Sequence, residues 1–75
     1  MGYMSFNPLI KWTPEDIKAA RKSLGLNQTD FAVELGTSQQ RISMWEGGIT
    51  PKNAWQRVLT IFLAEKGINN VKKAE

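Results

Sequence analysis

Cysteine and histidine are both missing from these 75 residues. Without thiols there are no disulfides and no thiolate chemistry, and without either residue the commonest zinc sites are excluded. Catalysis resting on a His base or a Cys nucleophile is excluded with them. No Gly-rich phosphate loop and no paired-carboxylate cleft stands in their place, and the seven acidic residues are scattered along helix ends and faces. An enzyme is therefore not expected, nor is a cofactor or a metal. A reducing, cytoplasmic compartment fits the lack of cysteine. No apolar run approaches the roughly 20 residues of a membrane span, and the N-terminus is too mixed for the apolar core of a signal peptide. A large charge surplus is absent too: the net charge is +3 and the pI about 9.5. That is a mild lean toward polyanions, and the pattern of residues has to decide.

The chain is one domain by length. It divides into an apolar arm over 1–12, a helical domain over 13–68 and a polar tail over 69–75. The arm carries Tyr3, Phe6, Leu9, Ile10 and Trp12 without a clear period, and Pro8 interrupts any helix there. It reads as a segment laying apolar side chains on the helical body; a dimerisation segment or a DNA-reaching arm is the alternative.

Four helices follow. Thr13 is an N-cap with Pro14 in the first helical position and Asp16 completing a box-like pattern, while Trp12 and Ile17 are placed for a hydrophobic staple. Ile17, Ala20, Arg21 and Leu24 share a face, and Gly25 stops the helix. Asn27 caps the second helix with Asp30 three residues on, Leu26 and Phe31 forming a second staple, and Leu35 ends it before Gly36. Ser38 caps the third helix, which ends at Glu46 before Gly47-Gly48. Thr50-Pro51 repeats the cap-plus-proline signature, opening a fourth helix from about Lys52 to Lys66. Trp55, Val58, Leu59, Phe62 and Leu63 make its apolar stripe; Gly67 closes it, and Ile68 is placed to dock. No strand pattern appears. The fold class is all-α, a compact domain of four to five helices.

Its centre is Gln28–Glu46. Phe31, Ala32 and Leu35 fall on one face of the second helix, and Ile42 and Trp45 on one face of the third. Gly36 lies between, where a sharp turn needs a positive φ, and Ala32 is small where the helices must cross closely. This is the layout of a helix-turn-helix. With Ile42, Trp45 and Glu46 turned inward, the third helix presents Gln40, Ser43 and Met44, flanked by Gln39 and Arg41. A planar amide suits the N6/N7 edge of adenine, and Met44 a thymine methyl. A lone pair of glutamines would be an ordinary solvated face; the first turn of a turn-linked second helix is where such side chains reach deepest into a groove. The helix N-termini at Asn27-Gln28-Thr29 and Lys52-Asn53 offer free amides to phosphates, with Ser38, Arg41 and Lys52 beside them. Trp45 and Trp55 read as core residues rather than base-stacking platforms. Arg21, on an apolar face, either pairs with Glu46 or carries its charge out to solvent.

Leu24 to Gly48, LGLNQTDFAVELGTSQQRISMWEGG, resembles the phage-repressor and Cro type of helix-turn-helix domain, and the match extends over roughly Thr13 to Ile68. That pattern has Gln at the start of the second helix, Ala four residues on, Gly at the turn, Ile in the third helix and Glu at its end; Gln28, Ala32, Gly36, Ile42 and Glu46 fill those places. The resemblance implies that Gln28 bonds a phosphate or an adjoining base, and that Gln39, Gln40 and Met44 face base edges with Ser43 and Arg41 beside them. It also implies a buried Arg21–Glu46 ion pair. Two features depart from the family: GGITPK supplies one Lys where several members have a basic loop, and the chain ends soon after the fourth helix, where many continue into a fifth.

The expected function is sequence-specific binding of double-stranded DNA by a transcriptional regulator, a repressor, acting as a homodimer on two half-sites. The alternative is an antitoxin-type or adaptor protein whose main role is to bind a partner, such as a toxin or an effector; the apolar arm favours it.

Overall fold

The computed structural model describes residues 11–68; most of the expected arm and the whole polar tail lie outside the described residues. Among the described residues there are four helices: α1 (Pro14–Ser23), α2 (Gln28–Leu35), α3 (Gln39–Glu46) and α4 (Asn53–Glu65). No strand occurs among the described residues, and none of their helices is long and apolar enough to cross a membrane.

Three of the four starts are set by short side chains that satisfy amides the helix leaves unpaired. At α1 the Asp16 amide donates to Thr13 Oγ1 and the Thr13 amide to Asp16 Oδ2, each at 3.2 Å. Asn27 Oδ1 accepts from the Asp30 amide at 2.7 Å, and Ser38 Oγ from the Arg41 amide at 3.2 Å. The start of α4 corrects the sequence reading. Thr50 does not cap it; Lys52 occupies the N-cap and supplies no side-chain bond. Proline in the first helical turn would leave its carbonyl for a helical amide. Instead Gln56 Nε2 donates to the Pro51 carbonyl at 3.2 Å, and the helical ladder begins one residue later, with the Gln56 amide on the Lys52 carbonyl at 2.9 Å.

All four ends share one device, a six-residue backbone bond enclosing a shorter one around a glycine of positive φ. At the turn between α2 and α3 the Thr37 amide donates to the Ala32 carbonyl at 2.9 Å and Gly36 to Val33 at 3.2 Å. Gly36 holds φ 79° there, a conformation costly to any residue with a Cβ. At the end of α4 the same pattern carries Ile68 back against the core.

The core is Trp12, Ile17, Ala20, Phe31, Ala32, Ile42, Trp45, Leu59 and Leu63, with Leu26 and Trp55 among the half-buried residues around it. Both expected staples therefore end in one cluster. Phe31 meets Phe62 edge to face at 6.0 Å, and Trp45 meets Trp55 at 5.3 Å. The α4 stripe differs from the expected one in one place. Val58 is exposed, and Gln56 is buried in its stead. Around a helix, Gln56 lies about 60° from the central Leu59 and Val58 about 100°; geometry therefore favours the glutamine once its amide is satisfied. It is satisfied: Gln56 Oε1 accepts from the Trp12 amide at 2.6 Å and Nε2 donates to the Trp12 carbonyl at 3.0 Å. The Trp12 indole N–H donates to Thr60 Oγ1 at 3.1 Å. These bonds fix the entry of the chain onto α4.

Candidate nucleic-acid interface

The α2–turn–α3 unit is held by two kinds of contact. Ala32 of α2 and Ile42 of α3 are both buried in the core cluster the two helices share. An ionic network then fixes the far end of α3. Arg21 Nε donates to Glu46 Oε2 at 2.7 Å and its terminal nitrogen to Oε1 at 3.0 Å, a two-pronged pair. The other terminal nitrogen of Arg21 donates to the Leu26 carbonyl at 2.9 Å. The two side chains are 11% and 5% exposed, so Arg21 pairs rather than reaching solvent.

Burial works against the Glu46 charge, but hydrogen bonds from Arg21 and Gln28, with the attraction of Arg21 and Lys18, outweigh it. Its pKa is held below the ordinary glutamate value. The Arg21 pKa is raised, first by its hydrogen bond to Glu46, against the opposing effect of burial.

The network continues onto the outer surface. Gln28 Nε2 donates to Glu46 Oε1 at 3.1 Å, and Gln28 Oε1 accepts from Gln39 Nε2 at 2.6 Å. Arg21, Glu46, Gln28 and Gln39 thus form a single chain of bonds from the interior to the first turn of α3. Gln39 retains one N–H and its carbonyl oxygen for another partner.

Gln39, Gln40, Arg41, Ser43 and Met44 are all exposed on α3, as their spacing requires. The phosphate candidates are arranged less uniformly. Asn27 and Ser38 spend their side-chain oxygens on capping, which leaves their N–H and O–H groups as donors. Gln28 is half-buried and committed to the network, with one N–H and its backbone amide remaining. Thr29, Lys52 and Asn53 are exposed in the first turns, or at the cap, of α2 and α4. Arg41 lies with its guanidinium carbon 5.3 Å from the centre of the Trp55 ring, which orients it toward α4.

Between α3 and the start of α4 runs an open groove of about 390 Å³, lined by Gln40, Arg41 and Met44 of α3 and by Ile49 and Lys52 of the segment that follows it. Trp45, Pro51 and Trp55 contribute to its lining, and no acidic residue does. Ser38, Gln40, Arg41, Met44 and Lys52 are brought together here; Asn27, Thr29, Ser43 and Asn53 belong to neither groove nor network. The sequence reading passed over Ile49, whose only signal was an apolar side chain in an otherwise polar turn. It also passed over Gln56, a glutamine inside an apolar stripe.

A family model described as helix-turn-helix matches residues 17–54, from the first turn of α1 into α4. No curated protein matches the chain, and no solved structure does.

Proposed function

Because the chain belongs to the helix-turn-helix family of DNA-binding transcription regulators, we propose that it binds double-stranded DNA in a sequence-specific manner, with α3 in the major groove, and represses transcription. The observation that carries this reading is the division of α3. Its inner face is locked by Ile42, Trp45 and the Arg21–Glu46 pair, while Gln39, Gln40, Ser43 and Met44 stand in solvent. A rigid helix with an exposed polar face is what base readout requires.

In this reading Gln40 takes an adenine edge, Gln39 reads a neighbouring base with its geometry set by Gln28, and Ser43 and Met44 border them. Asn27, Gln28, Thr29 and Ser38 grip one strand's phosphates through amide and hydroxyl donors, and Arg41, Lys52 and Asn53 grip the backbone on the α4 side. Two protomers bind half-sites about 34 Å apart.

Selection from random duplex DNA, with sizing of the complexes, tests this. A two-fold symmetric site bearing two protomers is expected. Gln40→Ala then relaxes selectivity at one base pair per half-site by about 1–3 kcal/mol; equal selectivity in parent and variant refutes the readout assignment.

A second reading, binding of a protein partner such as a toxin or effector, is favoured by α4. Val58 and Ile61 stand 40% and 63% exposed, three positions apart on its outer face. Pull-down with and without residues 1–12 separates the two: a partner lost while DNA binding persists supports the second.

A further inference from the structure

We propose that the groove between α3 and the start of α4 is a receptor for the 5-methyl group of one thymine, and that Ile49, with Met44, makes the protein select thymine there. The inference rests on the reading of α3 as the base-reading helix and names a further specificity residue for it.

The argument begins with where a thymine methyl lies. In the major groove it projects from the base edge toward its own strand, between the hydrogen-bonding atoms and the phosphates. A protein surface that recognises it needs an apolar receiver between an edge-reading side chain and a phosphate-binding cation. The groove brings those parts together: its lining includes Gln40, the cations Arg41 and Lys52, and the apolar Met44 and Ile49. Met44 is 51% and Ile49 55% exposed, two of the large apolar side chains left in solvent among the described residues. A methyl laid against them removes that apolar surface from water.

The walls are also held in place. Ile49 is tied by its amide to the Met44 carbonyl at 3.1 Å, the closing bond of α3, so the two side chains share one rigid turn. Pro51 is pinned by Gln56, and Arg41 rests over the Trp55 ring. The lining carries no carboxylate to repel a DNA strand. The groove is open rather than enclosed, which suits a group presented by a macromolecule already anchored by other contacts.

The test uses the full chain and the duplex recovered by selection. Each thymine is replaced in turn by deoxyuridine, which removes the 5-methyl and keeps every hydrogen-bonding group; Kd is read by fluorescence anisotropy at fixed salt. One thymine per half-site is expected to respond, with about fourfold weaker binding per substituted half-site, the value of one buried methyl. The variant Met44→Ala/Ile49→Ala binds both duplexes equally weakly, and Val33→Ala, an exposed apolar change outside the groove, keeps the difference. Because all three side chains are exposed, thermal melting should show these variants folded.

Equal affinity for thymine and deoxyuridine at every position overturns the inference. So does a half-site without thymine, or a difference that survives the double variant, which would place the methyl contact outside the groove. In those cases a retained response to Gln40→Ala shows that the base-reading assignment stands. A parent chain with no sequence preference overturns both.

Discussion

Arg21 and Glu46 show how one pair of side chains can hold a reading surface in place. Their bonds join the start of the chain's body to the last residue of α3, and Gln28 carries the same carboxylate outward to Gln39. Removing one partner leaves the other charged and almost enclosed, which costs about 3 kcal/mol. A domain of this length has a total stability of the order of 5 kcal/mol. Glu46→Ala is therefore expected to leave a substantial unfolded fraction in mild urea, while Arg21→Met/Glu46→Leu lies closer to the parent than either single change. The pH dependence follows in sign. The Glu46 pKa is lowered in the folded state, so its contribution is fully present above the ordinary glutamate range, near pH 4.3. It is lost as pH falls through the lower folded value. Urea midpoints at pH 7 and pH 3 should therefore differ more in the parent than in the double variant; equal differences would contradict this account. On sequence alone Arg21 had two outcomes, since spacing places an arginine on an apolar face without saying whether a carboxylate arrives opposite it.

At the scale of the element, the helix boundaries were legible wherever the signal was local. Thr13, Asn27 and Ser38 each bond an amide three residues away, and the closing glycines act within six residues. The start of α4 near Lys52 was legible but its cap was not, because Gln56, buried against the Trp12 backbone 44 positions away, also takes the Pro51 carbonyl. A cap signature such as Thr50-Pro51 records only local preference, and a satisfied buried amide overrides it. The outward face of α3 was legible because helical period is a property of the chain itself. The groove beside it was not, since its second wall comes from a loop. The turn joining α2 to α3 gives a direct test of the element. A Cβ added at Gly36 meets nothing within 4 Å, so Gly36→Ala costs only backbone strain at φ 79°. About 1 kcal/mol is expected, a fall in Tm of roughly 4–8 °C. Gly36→Asn should fall less, because asparagine tolerates the left-handed region. Equal losses in the two variants would place the cost in packing instead.

At the scale of the molecule, the charge is modest and its position matters more than its sum. The net charge is +3, and the turn after α3 brings one lysine, Lys52, to the groove beside Arg41. If these two cations are the side chains that neutralise phosphates, a dimer on DNA neutralises four. Counterion release then gives a slope of log Kobs against log salt of about −3.6, and a monomer about −1.8. Amide and hydroxyl donors at Asn27, Thr29 and Ser38 add contacts without adding to the slope, because they displace no cation by charge. Lys52→Gln should flatten the dimer's slope by about 1.8 while leaving base preference unchanged. Anisotropy titrations of parent and variant from 50 to 300 mM salt measure both quantities. A parent slope far steeper than −3.6 would mean that cations outside the groove, on a face not assigned to DNA, carry the affinity. An unchanged slope in Lys52→Gln would remove α4 from the interface and leave α2 and α3 to hold the duplex alone.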